Sequence, residues 1–433
     1  MKMSKHIALK FNSKVVLLYI MSIFHIFCCA DILYASNLDS LKAELNSTDK
    51  TIRAKAAHAL GYSGQDAVDT LIGALNDTYW LVKHNAALSL GAIKSLKATP
   101  ALEKMLNDDN PALRIAALSA LKDIGRSDSI EPIIKLLRDG NENVRLHAIS
   151  ALSIFKTDSI EKNLLDTVNN DNSILVKRRA TEALESYSGK DTMRYMLEAM
   201  YFKDKEILLL ALRKLSNSKD PNIYPHLISF YDHCDNSEKM YAIAALGVYG
   251  DKRALSRLIA HYDNNMTSDI RESIIQAFGA LDIERTRSYI FKAMYDIDPK
   301  IRVAAAHAFA NSRNLKYVKR LIMFYHQENN PSAKQGMMWA LMEAKHDNAI
   351  YAIIESLEDN DPLVRAEAAK LMNYAGDKRA IRPLVGLISD KSEHVREEAF
   401  LALAKITGED YGMDKEKWFK WWKENKKKFE NLE

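Results

Sequence analysis

The segment PHLISFYDHCD, Pro225 to Asp235, gathers the residue types that hold zinc: His226, Asp232, His233 and Cys234, with His261 one period further on. Imidazole, carboxylate and thiolate are the ligands of tetrahedral zinc sites. The spacing argues against such a site, because neighbouring His233 and Cys234 point in different directions at a helix end and no C-x-x-C or H-x-x-x-H partner accompanies them. A polar turn with one packed thiol is the expectation, and the sequence assigns no metal ligand, catalytic residue or cofactor. A second group lies in the tail, ITGEDYGMDKEKWFKWWKENKKKFE, where Trp418, Trp421 and Trp422 fall at i, i+3 and i+4 behind the capping residue Asp414. Three indoles on one helix face are read as the cover of the last apolar face before them, ahead of a carbohydrate or peptide platform.

The elements that position these residues repeat. Aligned on V-R-x-x-A-x-x-A-L, the first position falls at Ile52, Val82, Leu113, Val144, Val176, Ile207, Glu238, Ile270, Ile301, Ala333, Val364 and Val395, in steps of 30 to 32 residues. Position nine is apolar in every copy and position five is Ala in ten, Ile274 and Met337 being the exceptions. At about 100° per residue, positions one, five, eight and nine share one helical stripe, which is predicted to be buried. Ahead of each motif lies a second apolar segment, such as IEPIIKLLRD, and a polar turn with Asp, Asn or Pro, so each unit reads as two antiparallel helices. One such pair cannot bury both of its faces and must stack on the next.

A chain of 433 residues suggests several closed domains, but internal repetition overrides that prior. Hydrophobic residues at 47%, charged residues at 27%, and only 15 Gly and 9 Pro describe a helix-rich folded chain with no flexible linker. The first segment differs: Lys2, Lys5, Lys10 and Lys14 precede VVLLYIMSIFHIFCCA, with no acidic residue before Asp31. This order predicts a secretory signal over residues 1–30, cut after Ala30 or as late as residue 35, or an uncleaved anchor, with the remainder exported to the periplasm or cell surface. Removing four Lys and no acid from a formal charge of +4 leaves zero, which does not suit a phosphate backbone, so nucleic acid is not expected as a partner. Cys28 and Cys29 leave with the signal, and Cys234 alone permits no intrachain disulfide.

The LxDxxxxVRxxAAxALGxxG pattern resembles HEAT repeats, in particular the short HEAT-like repeats named after phycobilisome (PBS) lyases. The resemblance covers about residues 37–406 and implies an all-α α-solenoid, a superhelical rod of about twelve helical-hairpin repeats, with residues 407–433 as a C-terminal Trp-rich capping helix. It also implies that the basic residue at position two, present in eleven copies, meets a turn acid of its own or the next unit, Asp49, Asp298 and Asp361 being examples. One enzyme group on this fold, similar to deoxyhypusine hydroxylase, binds iron through paired His-Glu dipeptides. None of the twelve His residues here is followed by Glu. The lyases themselves cradle a tetrapyrrole, and the alternative they suggest is an enzyme or enzyme accessory holding such a cofactor.

The leading expectation is a non-enzymatic scaffold that binds a protein or peptide along the concave side, formed by the motif helices. Positions three and seven lie opposite the buried stripe. They give the candidate binding residues Leu146, Arg178, Leu209, Arg213, Met240, Glu272, His307 and Trp339, an apolar track interrupted by charge. Tight curvature burying these side chains between repeats is the competing reading, and Trp339 is the best single anchor.

Overall fold

The computed structural model describes residues 38–262, 266–312 and 314–429. The predicted signal or anchor, residues 1–30, lies outside them. Two compact units divide the chain between Tyr195 and Met196, and no strand occurs among the described residues.

In the first unit the helices are α1 (Leu38–Glu44), α2 (Lys50–Ala59), α3 (Val68–Ala74), α4 (Trp80–Ala92), α5 (Thr99–Met105), α6 (Pro111–Ile124), α7 (Ile130–Lys135), α8 (Glu142–Leu152), α9 (Asp158–Asn170) and α10 (Ile174–Leu184), with α11 (Lys190–Ala199) spanning the boundary. In the second they are α12 (Lys205–Ser216), α13 (Ile223–His233), α14 (Asn236–Tyr249), α15 (Ala254–His261), α16 (Ser268–Ala293), α17 (Pro299–Asn311), α18 (Leu315–Gln327), α19 (Pro331–Ala344), α20 (Asp347–Glu355), α21 (Pro362–Ala375), α22 (Ile381–Leu387), α23 (Glu393–Thr407) and α24 (Lys415–Asn425). Helix α16 joins a motif helix to the first helix of the next repeat through Asp282, whose extended backbone breaks the helical run.

Within each unit the motif helices pack on one another in series, α2 on α4 on α6 on α8 in the first and α17 on α19 on α21 on α23 in the second, while the shorter helices back them in a second layer. The HEAT-type solenoid expected from the repeat is the observed fold. Starts and stops follow local chemistry. Asn110, Ser173, Asp204, Asp235 and Asn330 cap motif helices with their side chains, and Gly125, Gly250, Gly376 and Gly408 end them in the left-handed region.

The buried stripe is wider than the sequence reading allowed. Positions five and nine are buried in every copy, as expected, but so is position six, from Ala57 and Leu118 to Met338 and Phe400. A motif helix touches its own partner and both neighbouring motif helices, so two flanks are covered as well as one face. Position one also departs at Ile52, which is exposed, and at Glu238, which is half-buried.

Close approach is built from a second small position. A Cβ on Gly91 would lie 2.6 Å from the Cα of Ala120, and one on Gly279 would lie 2.6 Å from the Cβ of Ala308. A Cβ on Gly61 would meet the Ser89 side chain, with the hydroxyl at 2.7 Å. In each case position ten of one repeat receives position eight of the next, and nothing larger than Gly fits at position ten without a shift.

Candidate functional site

The cation at position two is a structural tie. Arg53 reaches Asp77 at 2.7 Å, Lys83 reaches Asp108 at 2.8 Å, Arg114 reaches Asp139 at 2.8 Å and Arg145 reaches Asp171 at 2.7 Å. In the second unit Arg271 pairs with Asp296, Arg302 with Glu328 at 2.7 Å, Lys334 with Asp359 at 2.5 Å and Arg365 with Asp390 at 2.8 Å. The guanidinium also donates to carbonyls of its own turn, Arg365 to Asp359 O at 2.7 Å and Asn360 O at 2.9 Å. Each tie therefore staples one turn to the next, and the Arg53 hydrogen bond holds the Asp77 carboxyl below its usual range.

This corrects the acids named from the sequence. Asp49, Asp298 and Asp361 are helix caps, accepting from the amides of Thr51, Lys300 and Leu363. The acids that meet cations of the preceding repeat stand two residues earlier in the turn, where each also accepts the amide of the cap residue, as Asp359 does from Asp361 at 2.9 Å. Eight of these cations are enclosed and paired with an acid of the next turn, so they do not form a row open to external anions.

The zinc-like group is engaged elsewhere. Tyr231 Oη lies 2.9 Å from His261 Nδ1, His233 Nδ1 lies 2.8 Å from Ser229 O, and Arg257 pairs with Asp232 at 2.8 Å. The Cys234 thiol donates to Tyr231 O at 3.6 Å, and burial pushes its pKa up. Burial likewise pushes the Tyr231 phenol up to about 12. No cluster of three or more His, Cys, Asp or Glu able to hold a metal occurs among the described residues.

Position seven faces outward on the motif helices. Leu88, Arg213, Trp339 and Leu401 are exposed there, and His307 and Lys370 are half-buried. Position three is more enclosed than expected: Leu146, Arg178, Leu209, Met240 and Glu272 are all half-buried, and Ala54 and Ala366 are fully covered. Burial raises the carboxyl pKa of Glu272. Leu146 and Arg178 belong to the first unit. Leu209 and Arg213, Met240, Glu272, His307 and Trp339 stand on five consecutive motif helices of the second, α12, α14, α16, α17 and α19, each packed on the next.

Trp339 is the best defined of these. Its side chain is 39% exposed, yet its indole Nε1 donates to Glu367 Oε1 at 2.9 Å and the Lys370 ammonium stands 5.9 Å above its ring. The ring of Tyr374, itself 65% exposed, lies 5.9 Å away. Beside it His307 Nδ1 meets Glu343 Oε2 at 2.8 Å. Glu343, Glu367, Lys370 and Tyr374 were absent from the sequence-derived list. The signal for three of them was present, since Lys370 is itself a position seven and Glu343 and Tyr374 lie four residues beyond one and so continue its face.

A family model for HEAT repeats matches residues 38–122, 104–185 and 350–412. The chain is a HEAT-repeat protein. Among solved structures, the HEAT solenoid is similar to the karyopherin Kap121p bound to the extreme C-terminus of the protein phosphatase Cdc14p, with a TM-score of 0.53 and 13% identity over 96% of this chain and 55% of that one. Kap95p, solved with RanGDP, matches with a TM-score of 0.50 and 13% identity over 86% of this chain and 61% of that one. YibA of Escherichia coli aligns at 24% identity and a TM-score of 0.43 over 59% of this chain and 96% of its own. None of the curated proteins matches the sequence. At these identities the karyopherin likeness shows fold alone.

Proposed function

We propose that this HEAT-repeat protein is an exported, non-enzymatic scaffold that binds a protein or peptide segment on the motif-helix face of its second unit, with Trp339 as anchor. The carrying observation is that Trp339 is held by Glu367 and Lys370 of α21 yet stays exposed beside Tyr374 of the same helix. An indole fixed before binding loses little side-chain freedom on contact, and such aromatic residues dominate interface energetics. Glu343, Glu367, Lys370 and His307 surround it with both signs of charge, which suits a segment whose apolar side chain meets the rings while its ions meet the rim. Kap121p, whose fold is similar, is bound to the extreme C-terminus of Cdc14p in one crystal structure and to Pho4p in another. Export rests on the Lys-rich start and apolar run of residues 1–30.

The test pairs affinity with stability. A partner recovered by affinity purification from the cell envelope should bind Trp339→Ala about thirtyfold more weakly, roughly 2 kcal/mol, while the melting temperature stays put. Unchanged affinity would remove Trp339 from the interface, and lost stability with unchanged affinity would make it a packing residue. Cell fractionation with intact mass checks export: full-length protein in the cytosol contradicts it.

A further inference from the structure

On the layer of short helices, α20, α22 and the tail enclose a cleft of about 930 Å³. The tail indoles divide into two roles there. Trp418 is fully buried, its Nε1 donating to Gly412 O at 3.0 Å, and Trp421 is 9% exposed, so these two close the end of the solenoid. Trp422 is half-buried, stacks on Phe429 at 6.3 Å, and lines the cleft with Tyr351 on the opposite element.

The charge around this cleft is unlike that of the rest of the molecule. From Lys415 to Phe429 the tail has seven Lys and two Glu, in a chain that is neutral beyond residue 30. Lys378, Arg382 and Lys426 line the cleft, against the single acid Glu358. Arg382 has an interaction of its own, and two further cationic linings pair internally, Arg365 with Asp390 and Arg379 with Asp347 and Asp377 at 2.6 Å each. Lys378 and Lys426 are exposed.

We propose that this cleft is a second peptide site, which takes an acidic segment of a partner protein with one aromatic or leucine side chain between its carboxylates. The apolar side chain enters among Tyr351, Trp422 and Phe429, and the carboxylates meet Lys378 and Lys426. A basic, Trp-bearing helix also invites a membrane reading, but an interfacial helix must offer its apolar face to lipid. Here that face is turned inward, with Trp418 and Trp421 buried in the fold.

The probe is a short fluorescein-labelled peptide of glutamates around a single phenylalanine, followed by anisotropy with the full chain. It should bind more tightly than the same peptide with lysine in place of glutamate, and weaken with salt. The double variant Lys378→Glu, Lys426→Glu should lose at least about tenfold in affinity at unchanged melting temperature. Trp422→Ala should also lose affinity, whereas Trp339→Ala should bind normally. Equal binding of both peptides, or full affinity in the double variant, overturns the proposal. So does capture of the chain by phosphatidylglycerol vesicles with no acidic-peptide binding, which would assign the basic tail to a membrane surface.

Discussion

Residues 50–171 and residues 205–262 bury the same motif positions and differ in how neighbouring repeats are tied. In the first stretch four consecutive ion pairs connect successive turns. In the second, position two is Leu208, 2% exposed, and the place of the acid in the following turn is taken by His233. Cation and acid are replaced together. Lys239, the next position two, turns to its own repeat, donating to Tyr231 O at 2.6 Å with its ammonium 4.8 Å above that ring. The family model matches the first stretch and not the second. Burial of positions five, six and nine thus suffices for the fold, while the ties between turns are an addition that one part of the chain dispenses with.

The largest expected effect tests the spacing of the helices. Gly91→Ala forces the backbone at Ala120 to move, since the added Cβ would lie 2.6 Å from its Cα. Overpacking costs about 1–3 kcal/mol and more where, as here, backbone itself must move, so the net loss after the roughly 1 kcal/mol that Ala gains over Gly inside a helix should be about 3 kcal/mol. At Gly247, in the untied stretch, the same Cβ would meet Ala277 at 3.3 Å. Gly247→Ala should therefore be close to neutral. Equal destabilisation by the two changes, measured by urea unfolding, would show that the helix spacing does not differ between the stretches.

Second in size is the loss of one tie. Arg145 and Asp171 are 14% and 7% exposed, and Arg145 also donates to Asp139 O at 2.9 Å. Arg145→Ala should cost about 2 kcal/mol, between an exposed pair and a fully buried one that has lost a partner. Native-state hydrogen exchange should show the loss as faster opening around α8 and α10. If protection there does not change, the ion pairs do not couple the repeats.

Acid acts on the same ties. Asp77 is held low by the Arg53 hydrogen bond, with burial opposing. At Asp108 burial pushes upward, but Lys83 and the Asn110 amide outweigh it. A carboxyl lowered in the fold contributes stability that is complete above its unfolded value, 3.8 for Asp, and is lost as pH falls through the lower folded value. Arginine does not titrate in this range. The lowered groups of the untied stretch act inside one repeat, Asp235 through the Ser237 hydroxyl and Asp251 through Arg253. Below pH 3.8 exchange protection should therefore fall more in α2 to α6 than in α12 to α14; the reverse order would contradict the assignment.

How much of this was legible in the sequence depended on whether a role is local. The repeat register, the buried positions five and nine and the outward position seven follow from helical periodicity, so Trp339 was correctly placed on the exposed face. Position six escaped because a single helix gives one stripe, whereas flank burial depends on neighbours about thirty residues away. The turn acids were confused because two acidic places stand two residues apart: Asp361 caps a helix, and Asp359 holds Lys334. The role of Trp422 was out of reach, since periodicity sets it beside Trp418 and Trp421 and only docking of the tail on α22 separates it from them.

The smallest expected effect is the most direct test of the difference between the stretches. Leu208→Arg alone should destabilise, because it replaces a buried aliphatic side chain by a guanidinium without an acid in the next turn. His233→Asp alone should also destabilise, since His233 closes α13 through its contact with Ser229 O and an acid at a helix C-terminus opposes the dipole. If the missing tie was lost by side-chain replacement only, the double variant should recover about 1 kcal/mol relative to the sum of the single changes. Strict additivity in the cycle would mean that the turn itself has changed. The observed geometry makes that outcome informative, because His233 lies within a helix, whereas Asp77, Asp108 and Asp390 lie in turns where each also accepts an amide two residues on. Recovery would make the second stretch a tied solenoid lacking two side chains; additivity would make it a stretch whose turn was rebuilt around Tyr231, His261 and Lys239.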